Sequence, residues 1–213
     1  MFDYTKTEYR DIFNNTKYPH EVLLKIKDYI IEFIDKIDKT EYIEIDKNVF
    51  AKPTAKIDKT VKIEPYTIIG DNTEIRHCAY IRGYALIGNN CVIGNSSELK
   101  NSILFDEAKM PHFNYVGDSI LGFKAHIGAG VKISNLKSDE SFVNIIYENM
   151  KIETNMRKIG AIIGDNVEVG CNSVLNPGTV IGANTTIYPL SNVRGYVKSN
   201  SIYKAHNNII NKI

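Results

Sequence analysis

The 213-residue chain has few of the features that mark secreted, membrane-spanning or nucleic-acid-binding proteins. Cysteines number three, Cys78, Cys91 and Cys171, an odd count without paired spacing; this argues against a disulfide framework and for reduced thiols in a cytoplasmic chain. Cys78 and Cys91 read as small apolar fillers. Neither an apolar leader nor an apolar run of about 18 residues is present, so no membrane partner is expected. Charge of one sign is not in excess either, with 26 Lys and Arg against 25 Asp and Glu. That balance leaves no global field to attract nucleic acid, and recognition is expected at a local site.

What the chain does have is a count of six. Ile57, Ile63, Ile69, Ile75, Ile81, Ile87, Ile93 and Leu99 follow one another at six-residue steps, and Ile163, Val169, Leu175, Ile181, Ile187 and Val193 repeat the pattern. A small or β-branched residue mostly follows four positions later, as in Thr73, Ala79, Ala85, Cys91 and Ser97. Helices need a period near 3.6 and ordinary strands a period of 2, so this periodicity predicts a solenoid of short strands that turns a corner every six residues. Its aliphatic residues point inward, coil upon coil.

Residues 1–40 do not follow the count. Leu23, Ile26, Ile30, Phe33, Ile34 and Ile37 lie at helical spacing, with Pro19 near the start, which predicts an amphipathic helix from Val22 to Ile37 and a cap over the solenoid's open end. A shorter helix is expected around Glu8 to Phe13. The β domain is placed at 41–200 and a tail, a short helix or loose end, at 201–213. The count slips between Phe105 and Leu121, where Pro111 and His112 fall, and stops again over a polar loop insertion at 134–158. Long insertions in compact domains are usually functional or mobile.

In a coil of three hexads, Arg82 and Lys100 stand one above the other, about 4.8 Å apart. Two readings are open for this column: an ion pair of Arg82 with Glu64 one coil below, or a seat for a phosphate gripped by guanidinium and ammonium together. Glu98, two residues before Lys100, faces the same way.

The residues Glu98-Leu99-Lys100-Asn101-Ser102, then Pro111-His112-Phe113-Asn114-Tyr115-Val116-Gly117-Asp118, then Ile127-Gly128-Ala129-Gly130 with Asn135, resemble the acetyltransferase domain of the bifunctional bacterial enzyme that makes UDP-N-acetylglucosamine. The resemblance runs from about Ile75 to Val193. It implies an all-β fold, a left-handed parallel β-helix, to which the helical cap read from residues 1–40 is added, working as a homotrimer with sites between subunits. It implies acetyl-CoA as acyl donor, an amino-sugar phosphate such as glucosamine 1-phosphate as acceptor, and no bound metal. In that likeness His112 is the general base, Glu98 orients its imidazole, and Asn135 lies near the reacting groups. Arg82 and Lys100 hold the sugar phosphate, and Tyr115, His126 and Lys158 contact the acceptor. Ala129, Asn135, Leu136, Cys171 and Pro189 line the acetyl-CoA site. His126, Leu136, Cys171 and Pro189 depart from the family's residue types, and the insertion after Asn135 is longer than the family's. The Gly-rich nucleotide loop of the family's other domain has no counterpart in residues 1–45, so uridyltransferase activity is not expected.

The expected chemistry is direct attack of a neutral amine on the thioester, with a His poised near working pH to take the proton and Cys171 as a wall rather than a nucleophile. Two other readings remain. A zinc-dependent anhydrase needs three His ligands, and its closely spaced His pair is missing. A non-catalytic relative would keep the scaffold to bind a sugar nucleotide or a partner.

Overall fold

The computed structural model describes residues 1–148, 150–205 and 208–212. Short strands wind into a parallel β-helix with three faces. A flank face stacks Val49–Ala51, Thr67–Ile69, Ala85–Ile87, Ser102–Leu104, Ile120–Leu121, Ala161–Ile163, Thr179–Ile181 and Tyr196–Val197. An outer face runs from Lys56–Ile57 through Val92–Asn95, Lys109–His112 and His126–Ile127 to Ser201–Ala205. The third, called the site face below, stacks Lys62–Ile63, Tyr80–Ile81, Glu98–Lys100, Tyr115–Gly117, Lys132–Ile133, Val174–Leu175 and Asn192–Val193.

The aliphatic residue of each hexad fills the interior. Ile69, Ile75, Ile81, Ile87, Ile93, Leu99, Ile127, Ile163 and Val193 belong to one buried cluster, as the spacing predicted, and Met110, outside the predicted count, joins them. Hydroxyls at the small-residue positions tie adjacent coils together, with Thr73 Oγ1 donating to Gly88 O at 2.7 Å and Ser97 Oγ to Met110 O at 3.2 Å. Corners take left-handed backbone at a fixed place, as at Asn72, Asn90, Asn166, Asn172 and Asn184; asparagine tolerates that region better than most residues.

The slip in the count has a different seat from the one expected. Glu98 pairs with Tyr80, 18 residues back, but with Tyr115 only 17 ahead. Leu104, not Phe105, points into the core, and Leu121 follows Val116. The chain therefore takes five-residue steps through the corners at Asn101 and Asp118, both with positive φ. Phe105 turns outward into a second apolar cluster.

That second cluster corrects the expected position of the cap. A 3-10 segment Pro19–Leu24 leads into the helix Ile26–Lys36. Tyr9, Phe13, Val22, Ile26 and Ile30 pack on Phe50, Ile68, Leu86, Ile103 and Phe105, the outward side chains of the flank face. The cap thus lies along a side, where those apolar residues need cover, and not over the end. The strand Ile43–Asp46 instead closes the first edge by pairing antiparallel with Val49–Ala51. The tail is neither helix nor loose end: Ser201–Ala205 and Asn208–Asn211 pair antiparallel and protect the other edge. Cys91 is buried as expected, whereas Cys78 is exposed, because it occupies a positive-φ corner rather than an inward position.

Within the insertion, Val143–Tyr147 and Met150–Met156 form an antiparallel hairpin. Val143, Ile145 and Met156 bury into the flank cluster beside the cap. Cap and insertion therefore share one side of the β-helix, next to the site face.

Candidate active site

Register places the charged column where the sequence put it. Arg82 N donates to Leu99 O at 2.8 Å, so Lys100 stands one coil beyond Arg82. The guanidinium bonds Glu98, with Nη1 2.9 Å from Oε1, and this hydrogen bond raises the Arg82 pKa further. Glu64 takes the Tyr80 hydroxyl and lies 3.6 Å from Lys62 Nζ; the Tyr80 bond lowers its pKa. The proposed Glu64–Arg82 pair is thus replaced by Arg82–Glu98, since Tyr80 satisfies Glu64 first. The Lys100 ammonium has no side-chain partner among the described residues. Exposed pairs such as Arg82–Glu98 contribute only about 0–1 kcal/mol, so a doubly charged phosphate beside Lys100 competes with Glu98 readily.

His112 ends the outer-face strand Lys109–His112 and is exposed at the corner leading to the site face. Asn114 fixes that corner. It is 2 % exposed, accepts from His112 N at 3.0 Å and donates from Nδ2 to Gly128 O at 2.7 Å in the next coil. Below the strand, a Cβ on Gly94 would lie 1.5 Å from Pro111 O, so only glycine lets the chain pass there. No hydrogen bond joins Glu98 to His112; the carboxylate is held by Arg82 instead.

Backbone bonds align the proposed acyl-donor residues with His112. Gly130 N donates to His112 O at 3.0 Å, Asn172 N to Ala129 O at 2.8 Å and Leu190 N to Cys171 O at 2.9 Å. Ala129, Cys171 and Pro189 therefore follow His112 coil by coil along one edge, over roughly 14 Å at one strand spacing per coil. Glycines let the coils stack closely along this edge: a Cβ on Gly128 would lie 3.0 Å from Cys171 Sγ, and one on Gly170 would lie 2.3 Å from Pro189 N. This edge is a track on which Cys171 and Pro189 are exposed and Ala129 is half-buried.

At the opposite edge of the site face, Asn135 Nδ2 donates to Tyr115 OH at 3.3 Å and to Asp118. Asp118, 5 % exposed, also accepts from Asn101 Nδ2 at 2.8 Å. Burial raises the Tyr115 pKa, helped by the Asp118 charge, so its phenol stays protonated. Leu136 and Lys158 form an isolated antiparallel bridge where the insertion leaves and rejoins the β-helix. His126 stands apart on the outer face, with Nδ1 2.7 Å from Glu168 Oε2. Asn101, Asn114 and Asp118 had no assigned role in the sequence reading. Asn114 alone carried a signal, an amide in an inward column that otherwise holds Val, Ala and Ser; Asn101 and Asp118 sit at corners where polar residues are common, as at Asn48 and Asn90. Among the described residues, no cluster of three or more His, Cys, Asp or Glu is placed to hold a metal.

A family model for the bacterial transferase hexapeptide (six repeats) matches residues 160–195, and one for the GMPPB C-terminal domain matches 79–157. The bifunctional sugar-1-phosphate nucleotidylyltransferase/acetyltransferase of Sulfurisphaera tokodaii is 35 % identical over 163 residues, covering 68 % of this chain and 41 % of that protein. The bifunctional protein GlmU of Methanocaldococcus jannaschii is 37 % identical, covering 63 % of this chain and 33 % of its own length. That of Methanococcus maripaludis strain C5 is 34 % identical, covering 84 % and 44 %. The chain thus spans less than half the length of these curated relatives. Among solved structures, a hexapeptide transferase family protein from Anaplasma phagocytophilum aligns with a TM-score of 0.48 at 15 % identity, covering 74 % of this chain and 75 % of that one. Repeat, register and sequence likeness together make this chain a hexapeptide-repeat protein similar to one part of the bifunctional GlmU proteins.

Proposed function

We propose that the chain is an acetyl-CoA-dependent N-acetyltransferase acting on an amino sugar that carries a phosphate. The observation that carries this reading is the edge on which Ala129, Cys171 and Pro189 follow His112 coil by coil. An extended thioester laid along it brings its acyl end to the imidazole. Arg82 and Lys100 grip the sugar phosphate, and Tyr115, steadied by Asn135 and Asp118, contacts the sugar. Lys158 adds positive charge at the same edge.

Acetyl-CoA supplies the activated acetyl group. The sugar's neutral amine attacks the carbonyl carbon, forming the C–N bond as the C–S bond breaks. His112 takes the amine proton and returns it to the departing thiolate, so no covalent enzyme intermediate and no metal are needed. In one chain, the His112 edge and the Asn135 edge lie on opposite borders of the site face, and His126 lies on the outer face. A trimer that sets one copy's outer face against another's site face brings all three sets to one place.

The test is release of free thiol from acetyl-CoA in the presence of phosphorylated amino sugars. Turnover that depends on the amine supports the reading; no turnover and no acetyl-CoA binding at about millimolar concentration contradicts it. That outcome supports instead a non-catalytic relative binding a sugar nucleotide, a reading favoured by the engagement of Glu98 with Arg82 in place of His112.

A further inference from the structure

We propose that the acceptor is an amino sugar linked to a nucleoside diphosphate, and that its nucleoside lies in the cleft between the cap and the insertion. The inference rests on the acetyltransferase reading and specifies its substrate class. The cleft, about 570 Å³, starts at Asn101 and Asp118, the pair that holds Asn135 beside Tyr115. Asp118 N donates to Lys100 O at 3.0 Å, so the corner that opens the cleft is tied to the end of the strand that carries Lys100. In the proposed arrangement a phosphate chain runs from Arg82 and Lys100 past this corner into the cleft.

The lining has the chemistry of a nucleotide site. Lys158 and Arg157, consecutive residues at the end of the insertion, both line the cleft. Arg157 is held by Glu140, and both side chains are well exposed, so this pair is weak and a phosphate can displace the carboxylate. Apolar lining comes from both sides: Leu24 of the cap is 67 % exposed and Phe142 of the insertion 53 % exposed, although both line a concave surface. Large apolar side chains open to water in a cleft mark a binding site for a complementary apolar surface, and a planar base buries them. Asn101 and Asn155 place amides at the edges, able to donate to or accept from a base. One wall comes from the cap, which precedes the repeat, and the other from the insertion that interrupts it. A hexosamine monophosphate seated on Arg82 and Lys100 leaves this space unfilled.

Titration of the full chain with UDP, GDP, CDP, ADP, dTDP and glucosamine 1-phosphate tests the proposal. One nucleoside diphosphate is expected to bind at least about tenfold more tightly than glucosamine 1-phosphate. Phe142→Ala and Arg157→Ala are each expected to cut that preference about tenfold, with the fold checked by circular dichroism. Glucosamine 1-phosphate binding as tightly as every nucleotide, or an unchanged preference in both variants, overturns it. If a diphosphate binds through Phe142 but no amino sugar is acetylated, the cleft assignment stands and the acetyltransferase reading fails. If glucosamine 1-phosphate is acetylated and no diphosphate binds, the acetyltransferase reading stands and the cleft assignment fails.

Discussion

Asn114 and Cys91 occupy equivalent inward positions of the repeat and show how much one side chain can decide. Asn114 fills a column that holds Val61, Ala79, Ser97 and Val131 in other coils, and it satisfies the corner backbone of two coils. Asn114→Ala leaves Gly128 O and His112 N without these partners, and is expected to cost about 1–3 kcal/mol, read as a lower denaturation midpoint at unchanged m-value. Cys91 is fully buried, and burial pushes its thiol up to about 12, while Cys78 and Cys171 are exposed. The native protein should therefore titrate two thiols quickly with an aromatic disulfide reagent and the third only on unfolding; three equally fast thiols contradict the fold assigned to this position. The native state also keeps its proton on Cys91 when an unfolded thiol, near 8.5, has lost it. Stability on this account falls as pH rises from about 8.5 toward 12, and is unaffected by this group at neutral pH. At this scale the sequence was legible where a residue type has one use, as for the inward isoleucines. It was ambiguous where partners compete: Glu64 and Glu98 both lay within reach of Arg82, and only the Tyr80 hydroxyl decided between them.

Elements show where counting in sixes fails and why. Leu104 and Phe105 are both large and apolar, so a six-residue step from Leu99 lands plausibly on Phe105. The chain instead shortens its corner at Asn101, putting Leu104 inside and Phe105 into the flank cluster. The same shortening at Asp118 builds the Asn101–Asp118–Asn135 network, so the polar end of the candidate site arises from the two irregular corners. The helix Ile26–Lys36 was legible from its spacing, but its docking place was not, because amphipathic faces do not name their partners. The insertion hairpin follows the same rule, burying Ile145 and Val143 on the flank. Ile145→Asp places a charge in that cluster and should undock the hairpin. Hydrogen exchange is expected to lose protection over 143–156 while the coils at 85–87 and 161–163 keep theirs. Equal loss throughout would mean the hairpin and β-helix unfold as one unit.

On the scale of the whole molecule, the candidate residues divide between two edges and two faces of the β-helix. The His112 track, the Arg82–Lys100 column and the Tyr115–Asn135 group are each well formed, yet His126 faces elsewhere. The proposed trimer would account for this division, with Phe113 and Leu190, 58 % and 79 % exposed at the track's corners, as the apolar surface it would cover. Sedimentation equilibrium is expected to give three times the mass of the chain, and Phe113→Asp with Leu190→Asp to shift it toward one; a wild-type monomer that turns over acetyl-CoA would show that one chain suffices. Scaffolds of this kind do not themselves fix a reaction, so the decisive observation must come from the chemistry. The most direct one is the rate of thiol release from acetyl-CoA by His112→Ala compared with wild type, across pH, with the amino-sugar acceptor saturating. Loss of a general base predicts a fall of about 10²–10⁴-fold and disappearance of the acid limb of the profile, with the fold intact by circular dichroism. A rate within about twofold of wild type and an unchanged profile would contradict the central claim that His112 drives the transfer.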